Sequence, residues 1–102
     1  MAERALPDAC SLDAAGARSQ GERYAGAARA VVSLERAPTR VEVRFDTSRD
    51  LGVVDDLVAI ERECCPFFAI AWDREAGELS VAVEPGENGR ALDAIEEALT
   101  PP

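Results

Sequence analysis

The sequence predicts an α+β fold, a two-layer sandwich in which a three-stranded sheet has helices packed on one face. Apolar residues recur at helical spacing in three segments and alternate with polar residues in three others. Proline and glycine residues separate these segments. A chain of 102 residues has the length of one domain, so residues 18–100 are assigned to a single α+β core.

The N-terminal third is predicted to be an irregular arm followed by a helix. Residues 1–17 have no sustained period and are interpreted as the arm. Over residues 18–36, five apolar residues fall on one stripe of a helix, which Pro38 ends. That stripe consists of Tyr24, Ala27, Ala28, Val31 and Leu34.

A strand and a second helix are predicted next. Residues 40–46 alternate between apolar and polar side chains, as in a half-buried strand. The helix is predicted from about residue 51 to Cys64, with Ser48 or Asp50 as its N-terminal cap. Pro66 ends this helix, because the residue before a proline is disfavoured in the helical conformation.

The last part of the chain predicts a hairpin and a helix. Residues 68–72 and 79–83 alternate as strands, and residues 74–77 supply the turn between them. Asn88 is the predicted cap of the final helix. The resulting order is α-β-α-β-β-α, that of a truncated ferredoxin-like unit. The apolar stripe of the final helix consists of Leu92, Ile95 and Leu99.

Charge and composition exclude several classes of function. The chain has 20 acidic residues against 11 basic ones, all arginine, which gives a formal net charge of −9. Such a chain repels phosphate backbones, so no nucleic-acid partner is expected. There is no histidine, which removes imidazole bases and imidazole metal ligands. No apolar run approaches the length of a membrane span, and no secretory signal is expected, so we predict a cytoplasmic protein.

Three cysteines carry the remaining chemistry. Cys64 and Cys65 are adjacent where the second helix ends, and Cys10 lies in the arm. An odd number of cysteines without a secretory signal argues against a disulfide scaffold and for a reducing compartment. The alternative is structural, because cysteine is often buried as a small apolar residue.

The surroundings of the cysteine pair favour a metal ligand over a nucleophile. A reactive thiol needs a helix N-terminus or nearby positive charge, whereas this pair lies at the negative end of a helix. Glu61 and Glu63 add negative charge, and Arg62 opposes them. Soft thiolates select ions such as Cu(I), Zn(II), Hg(II) or trivalent arsenic.

The predicted metal site has four ligands. Cys64 and Cys65 are the primary ligands, and Cys10 is the candidate for a third sulfur. Glu61, one helical turn before the pair, is the candidate oxygen ligand. For Glu61 the alternative is an exposed helix carboxylate.

The other prominent side chains are assigned structural roles. Tyr24 lies on an apolar stripe and is predicted to be in the core. Strand alternation places Phe68 and Trp72 on one face and Phe67 on the other, and core packing is preferred to a ligand wall. The acidic pairs at residues 55–56 and 96–97 are predicted to be solvated helix faces.

The segment Glu61-x-x-Cys64-Cys65-Pro66-Phe67-Phe68 resembles a small bacterial domain that occurs alone or behind the DNA-binding part of mercury-regulator (MerR) family proteins. The early Cys10-Ser11-Leu12, the alternating strand, the hairpin and the final helix extend the resemblance over nearly the whole chain. Ile70 stands where the pattern often has a second phenylalanine. The resemblance does not extend to the DNA-binding part, so it does not imply regulation of transcription. The resemblance implies an association with the response to heavy metals or metalloids.

Two other functions remain open at this stage. One is a thiol-dependent oxidoreductase or transferase that uses Cys64 and Cys65, with Cys10 as the resolving thiol. The other is an interaction module in which the cysteines only pack, and a sheet edge or an apolar helix stripe forms a homodimer. The open edges of a three-stranded sheet would favour such a dimer, because their unpaired backbone groups can pair with a second chain.

Overall fold

The computed structural model describes residues 14–64, 67–86 and 89–100. Within these ranges it contains three helices and four strands, and the predicted α+β class is confirmed. None of the helices in the described ranges is long and apolar enough to cross a membrane. The elements are α1 (Ala14–Ala28), β1 (Val31–Ala37), β2 (Arg40–Phe45), α2 (Gly52–Cys64), β3 (Ala69–Asp73), β4 (Glu78–Ala82) and α3 (Gly89–Leu99).

The four strands form one antiparallel sheet in the order β1-β2-β4-β3. The prediction of three strands is therefore wrong. Because β4 pairs antiparallel with both neighbours, β2 and β3 run parallel on either side of it. The segment from β2 through α2 to β3 is thus a split βαβ unit.

The predicted helix over residues 18–36 is wrong in its second half. Helix α1 ends at Ala28, and the chain continues as the edge strand β1. Val31 and Leu34 both pack against the core because a β-bulge after Val31 inserts one extra residue. Val31 and Leu34 therefore lie on the same side of the strand at a spacing of three residues, which is also a spacing found in a helical stripe.

The start of α1 also differs from the prediction. The helix begins at Ala14, so residues 14–17, predicted as arm, are helical. The remainder of the predicted arm, residues 1–13, lies outside the described residues.

The prediction for the second helix is confirmed, with Asp50 as its cap. The backbone N–H of Gly52 donates to Oδ1 of Asp50 at 2.9 Å. Ser48 is not the cap, since its hydroxyl donates to Asp46 at 2.7 Å. The backbone N–H of Ser48 also donates to Asp46, at 3.0 Å, and the two bonds lower the pKa of the Asp46 carboxyl, with the bond from the Ser48 hydroxyl as the largest cause.

The predicted hairpin and final helix are confirmed, as β3, β4 and α3. The proposed cap Asn88 and the helix-ending Pro66 lie outside the described residues. One face of the sheet and the inner faces of the helices enclose a single core. The largest fully buried side chains in it are Leu92, Leu99, Val41, Val43 and Val54.

Trp72 packs against the core, as predicted. It also binds Asp55, an acid that was expected to be solvated. Its ring meets the ring of Phe45 edge-on, with the centroids 5.7 Å apart. Nε1 of Trp72 donates to Asp55 at 2.8 Å, and Arg74 pairs with the same carboxylate at 2.6 Å. Asp55 therefore ties α2 to the hairpin, while its neighbour Asp56 is exposed as predicted.

Phe67 does not face away from Phe68 as strand alternation predicts. Both rings pack against the core, with their centroids 4.6 Å apart. Both residues precede the start of β3 at Ala69, so the period of two does not apply to them.

Arg36 connects β1 to α3 by pairing with two acids of that helix. One of them, Glu96, was expected to be solvated. Its guanidinium pairs with Asp93 and with Glu96, the latter at 3.1 Å. The hydrogen bond to Asp93 is the main cause of the raised pKa of Arg36. Glu97 is exposed as predicted.

Candidate metal site

Helices α1 and α2 lie side by side and run in opposite directions. A Cβ atom added at Gly26, late in α1, would lie 3.6 Å from Cγ2 of Val53 in the first turn of α2. Gln20, earlier in α1, contacts Glu61, later in α2. The start of α1 therefore lies at the same end of the molecule as Cys64, the last residue of α2.

Glu61 is buried between these two helices, with 6% of its surface exposed. Its Oε2 accepts a hydrogen bond of 2.8 Å from the Tyr24 hydroxyl and one of 3.0 Å from Nε2 of Gln20. The alternative of an exposed helix carboxylate is therefore wrong. A carboxylate buried in this way requires donors or a cation, because an isolated buried charge is costly.

Gln20 has only one orientation that satisfies its neighbours. Its Nε2 donates to the backbone oxygen of Leu57 at 3.1 Å as well as to Glu61, and its Oε1 accepts from Arg23 at 3.0 Å. Turning the amide over would set its oxygen against two acceptors. Gln20, which is 3% exposed, thus links the Arg23 guanidinium to the buried carboxylate.

Of the four predicted ligands, the described structure brings Glu61 and Cys64 onto one face of α2. Cys64 lies three positions after Glu61, the spacing of side chains on adjacent helical turns. Cys64 is a free cysteine with 9% of its surface exposed. Cys10 and Cys65 lie outside the described residues. Within the described part of the chain, no three or more Asp, Glu or Cys side chains group closely enough to hold a metal.

Among the described residues, one oxygen of Glu61 has no hydrogen-bond donor. Both hydrogen bonds to this carboxylate end on Oε2, and no described residue donates to Oε1. A cavity of about 10 Å³, about the size of one water molecule, adjoins Glu61 and is otherwise lined mainly by apolar side chains. The part of the Glu61 side chain that faces this cavity therefore has mainly apolar neighbours.

The charged neighbours of Cys64 leave the end of α2 electronegative. Arg62 is exposed, and its Nη2 donates to the backbone oxygen of Ile70 at 3.1 Å, which fastens α2 to β3. Glu63 is exposed beside it. Glu63 and the carbonyl groups at the end of the helix favour a cation at Cys64, whereas the positive charge of Arg62 opposes it.

Neither Gln20 nor the polar role of Tyr24 was predicted from the sequence. Tyr24 is in the core as predicted, but its hydroxyl is bound to a charged group rather than to solvent. A signal for Gln20 was present, since it lies four residues before Tyr24 and so extends the buried stripe of α1 by one turn. A polar side chain on such a stripe indicates a buried hydrogen-bond partner.

The comparisons with known proteins identify no relative. No protein-family model, no curated protein and no solved structure matches this chain. The functional interpretation therefore depends on the side chains at the α1–α2 interface.

Proposed function

We propose that this protein binds a soft metal or metalloid ion through the thiolates of Cys64 and Cys65, with Cys10 as a third sulfur ligand and Glu61 as an oxygen ligand. One observation carries the proposal. A buried carboxylate, held by two donors on one oxygen, stands one helical turn before the cysteine pair. In this proposal the carboxylate and the cysteine thiolates together supply the negative charge that binds the ion.

Tyr24 and Gln20 are the outer-shell partners in this proposal. Carboxylates that bind metals are commonly held by hydrogen bonds from outside the coordination sphere, which fix the orientation of the ligand. Both donors occupy Oε2 of Glu61, so Oε1 is the atom assigned to the ion. Because both donors belong to α1, the packing of α1 on α2 orients the ligand.

The position of Cys64 supports metal binding over thiol catalysis. The negative end of α2 disfavours a free thiolate, but a bound cation deprotonates a coordinating thiol. Burial strengthens the attraction between thiolate and ion, because the effective dielectric constant is lower than in water.

The direction of α1 supports the assignment of Cys10. This helix begins at Ala14, at the end of the molecule where Cys64 lies. Four peptide units separate Cys10 from Ala14, and an extended chain of that length spans at most about 14 Å. The chain length therefore keeps Cys10 within about 14 Å of the start of α1, at the end of the molecule that holds Cys64.

The donor set indicates the class of ion but not one element. Two or three sulfur atoms and one oxygen suit Hg(II), trivalent arsenic, Cu(I) or Zn(II). A reducing bacterial cytoplasm would keep the thiols available. The resemblance to the domain of mercury-regulator proteins agrees with this proposal. In its fold, the protein is proposed to be a ferredoxin-like variant in which β1 occupies the edge beside β2.

Titration of the reduced protein tests the proposal. Native mass spectrometry with Zn(II), Cu(I), Hg(II) and arsenite should detect one ion per chain, and two or three thiols should become protected from a thiol reagent. Protein alkylated with iodoacetamide before the titration is the control and should retain no ion. If the reduced protein retains none of the four ions, or if all of its thiols stay reactive with the ion present, the proposal is wrong.

A further inference from the structure

The face of the sheet opposite the helices is covered by no described element. Strand β2 presents three long charged side chains there, Arg40, Glu42 and Arg44, all exposed. The strands β4 and β3 present small side chains beside the first two of these. In the sheet register, Ala82 and Ala69 lie at the level of Arg40. Ser80 and Ala71 lie at the level of Glu42. At these two levels, the β2 half of the open face therefore carries long side chains, whereas the β4–β3 half carries short ones.

Arg40 pairs with Glu42 at 3.0 Å, but other charges on this face have no ion-pair partner among the described residues. Glu78 is the register partner of Arg44, yet neither forms an ion pair with a described residue. Two pairs of like charge also lie directly opposite one another, Glu35 with Glu42 and Glu78 with Asp73. Like charges at such positions destabilise a sheet. A shallow depression of about 470 Å³ covers this charged end of the face.

We propose that this open face is a symmetric dimer interface and that its occupant is a second copy of the chain. In the proposed dimer the two-fold axis lies between the sheets and parallel to the strands. This symmetry places β4 of the partner over β2, and β3 of the partner over β1, with residues at the same level facing each other.

This arrangement matches charge with charge and large side chains with small ones. Arg44 of each copy faces Glu78 of the other copy, so the dimer contains two Arg44–Glu78 ion pairs. Arg40 faces the alanine at position 82, and Glu42 faces Ser80, whose hydroxyl is a suitable donor. The half of each face with long side chains thus packs against the half of the other face with short ones.

The other face-to-face symmetry is excluded by charge. A two-fold axis perpendicular to the strands would reverse the levels. It would set Glu42 against its own copy and Arg40 against Arg44. Like charges buried opposite each other cost several kcal/mol. The direction of the axis is therefore determined by the side chains.

The area of the face limits the strength of the dimer. Four strands at a spacing of about 4.8 Å and three levels about 7 Å apart cover roughly 400 Å² per copy. The two copies together would bury roughly 800 Å², which is below the size of stable specific interfaces and typical of weak, transient ones. We therefore expect a dissociation constant in the micromolar range, and the dimer does not depend on a bound ion.

Sedimentation equilibrium of the full chain under reducing conditions tests this inference. Arg44→Glu and Glu78→Arg should each weaken dimerisation by about tenfold or more. The double variant, with both charges exchanged, should recover most of the affinity because the pair faces itself across the axis. Arg18→Glu and Glu97→Arg make the same changes on exposed helix positions and should have no effect.

Three results would overturn the proposed dimer. One is a monomer at concentrations up to about 1 mM. Another is tighter association of Arg44→Glu, which is the result expected for the reversed levels. The third is failure of the double variant to recover, with circular dichroism showing that it is folded. None of these results bears on the metal site, which lies on the helical side of the sheet.

Discussion

The variant Cys64→Ser Cys65→Ser is expected to lose metal binding by more than about a thousandfold. A structural zinc site of four ligands contributes about 10–16 kcal/mol, or roughly 3 kcal/mol per ligand, so the loss of two thiolates removes about 6 kcal/mol. Serine keeps the size of the side chain but is a poor ligand for a soft ion. Competition with a chelator of known affinity measures the change.

Two further variants separate binding from packing. Cys64→Ala Cys65→Ala should lose binding to the same extent, while thermal unfolding shows whether the buried position 64 tolerates the change. Cys10→Ser should lower the affinity by about 100-fold, as expected for one ligand of three or four. If the double serine variant binds every ion as tightly as the unmodified protein, the cysteine pair is not the ligand.

Glu61 is expected to contribute both to the stability of the fold and to the affinity for the ion. The substitutions Glu61→Ala and Glu61→Gln separate these two contributions. Glu61→Ala removes the acceptor of the Tyr24 hydroxyl and of Gln20 and leaves a cavity, which should lower the free energy of unfolding by about 2–4 kcal/mol. Glu61→Gln keeps an oxygen for both donors, so its cost should be about 1 kcal/mol. The amide is a poor ligand, and this variant should still bind the ion about 100-fold more weakly.

Glu63 provides the matched control for both changes. It lies two residues further along the same helix and is exposed. Glu63→Ala and Glu63→Gln should change the free energy of unfolding by less than about 0.5 kcal/mol. Urea unfolding measures these values for all four variants. Equal metal affinity of Glu61→Gln and Glu63→Gln would remove Glu61 from the coordination sphere and leave it a structural residue.

Local patterns predicted the elements that have a single period. Helix α2, the hairpin and α3 follow from stripes, alternation and caps, because each of these segments matches one template only. Strand β1 was missed for a physical reason. Its bulge places Val31 and Leu34 on the same side at a helical spacing, and its pairing with β2 is a long-range contact that no local pattern reveals.

The candidate site was predictable only along one helix. The spacing of Glu61 and Cys64 follows from their positions on α2. The burial of Glu61 depends on the packing of α1 against α2, and a charged residue on a helix is more often exposed. The same packing brings Gln20 and Tyr24 to the carboxylate from residues about 40 positions earlier in the chain.

X-ray absorption spectroscopy of the ion-loaded protein tests metal binding by the cysteine pair most directly. With Zn(II), we expect two or three sulfur ligands at about 2.3 Å and an oxygen ligand at about 2.0–2.2 Å. The Glu61→Gln variant should keep the sulfur ligands and lose or lengthen the oxygen contact. A first coordination shell of oxygen and nitrogen without sulfur would contradict the central claim.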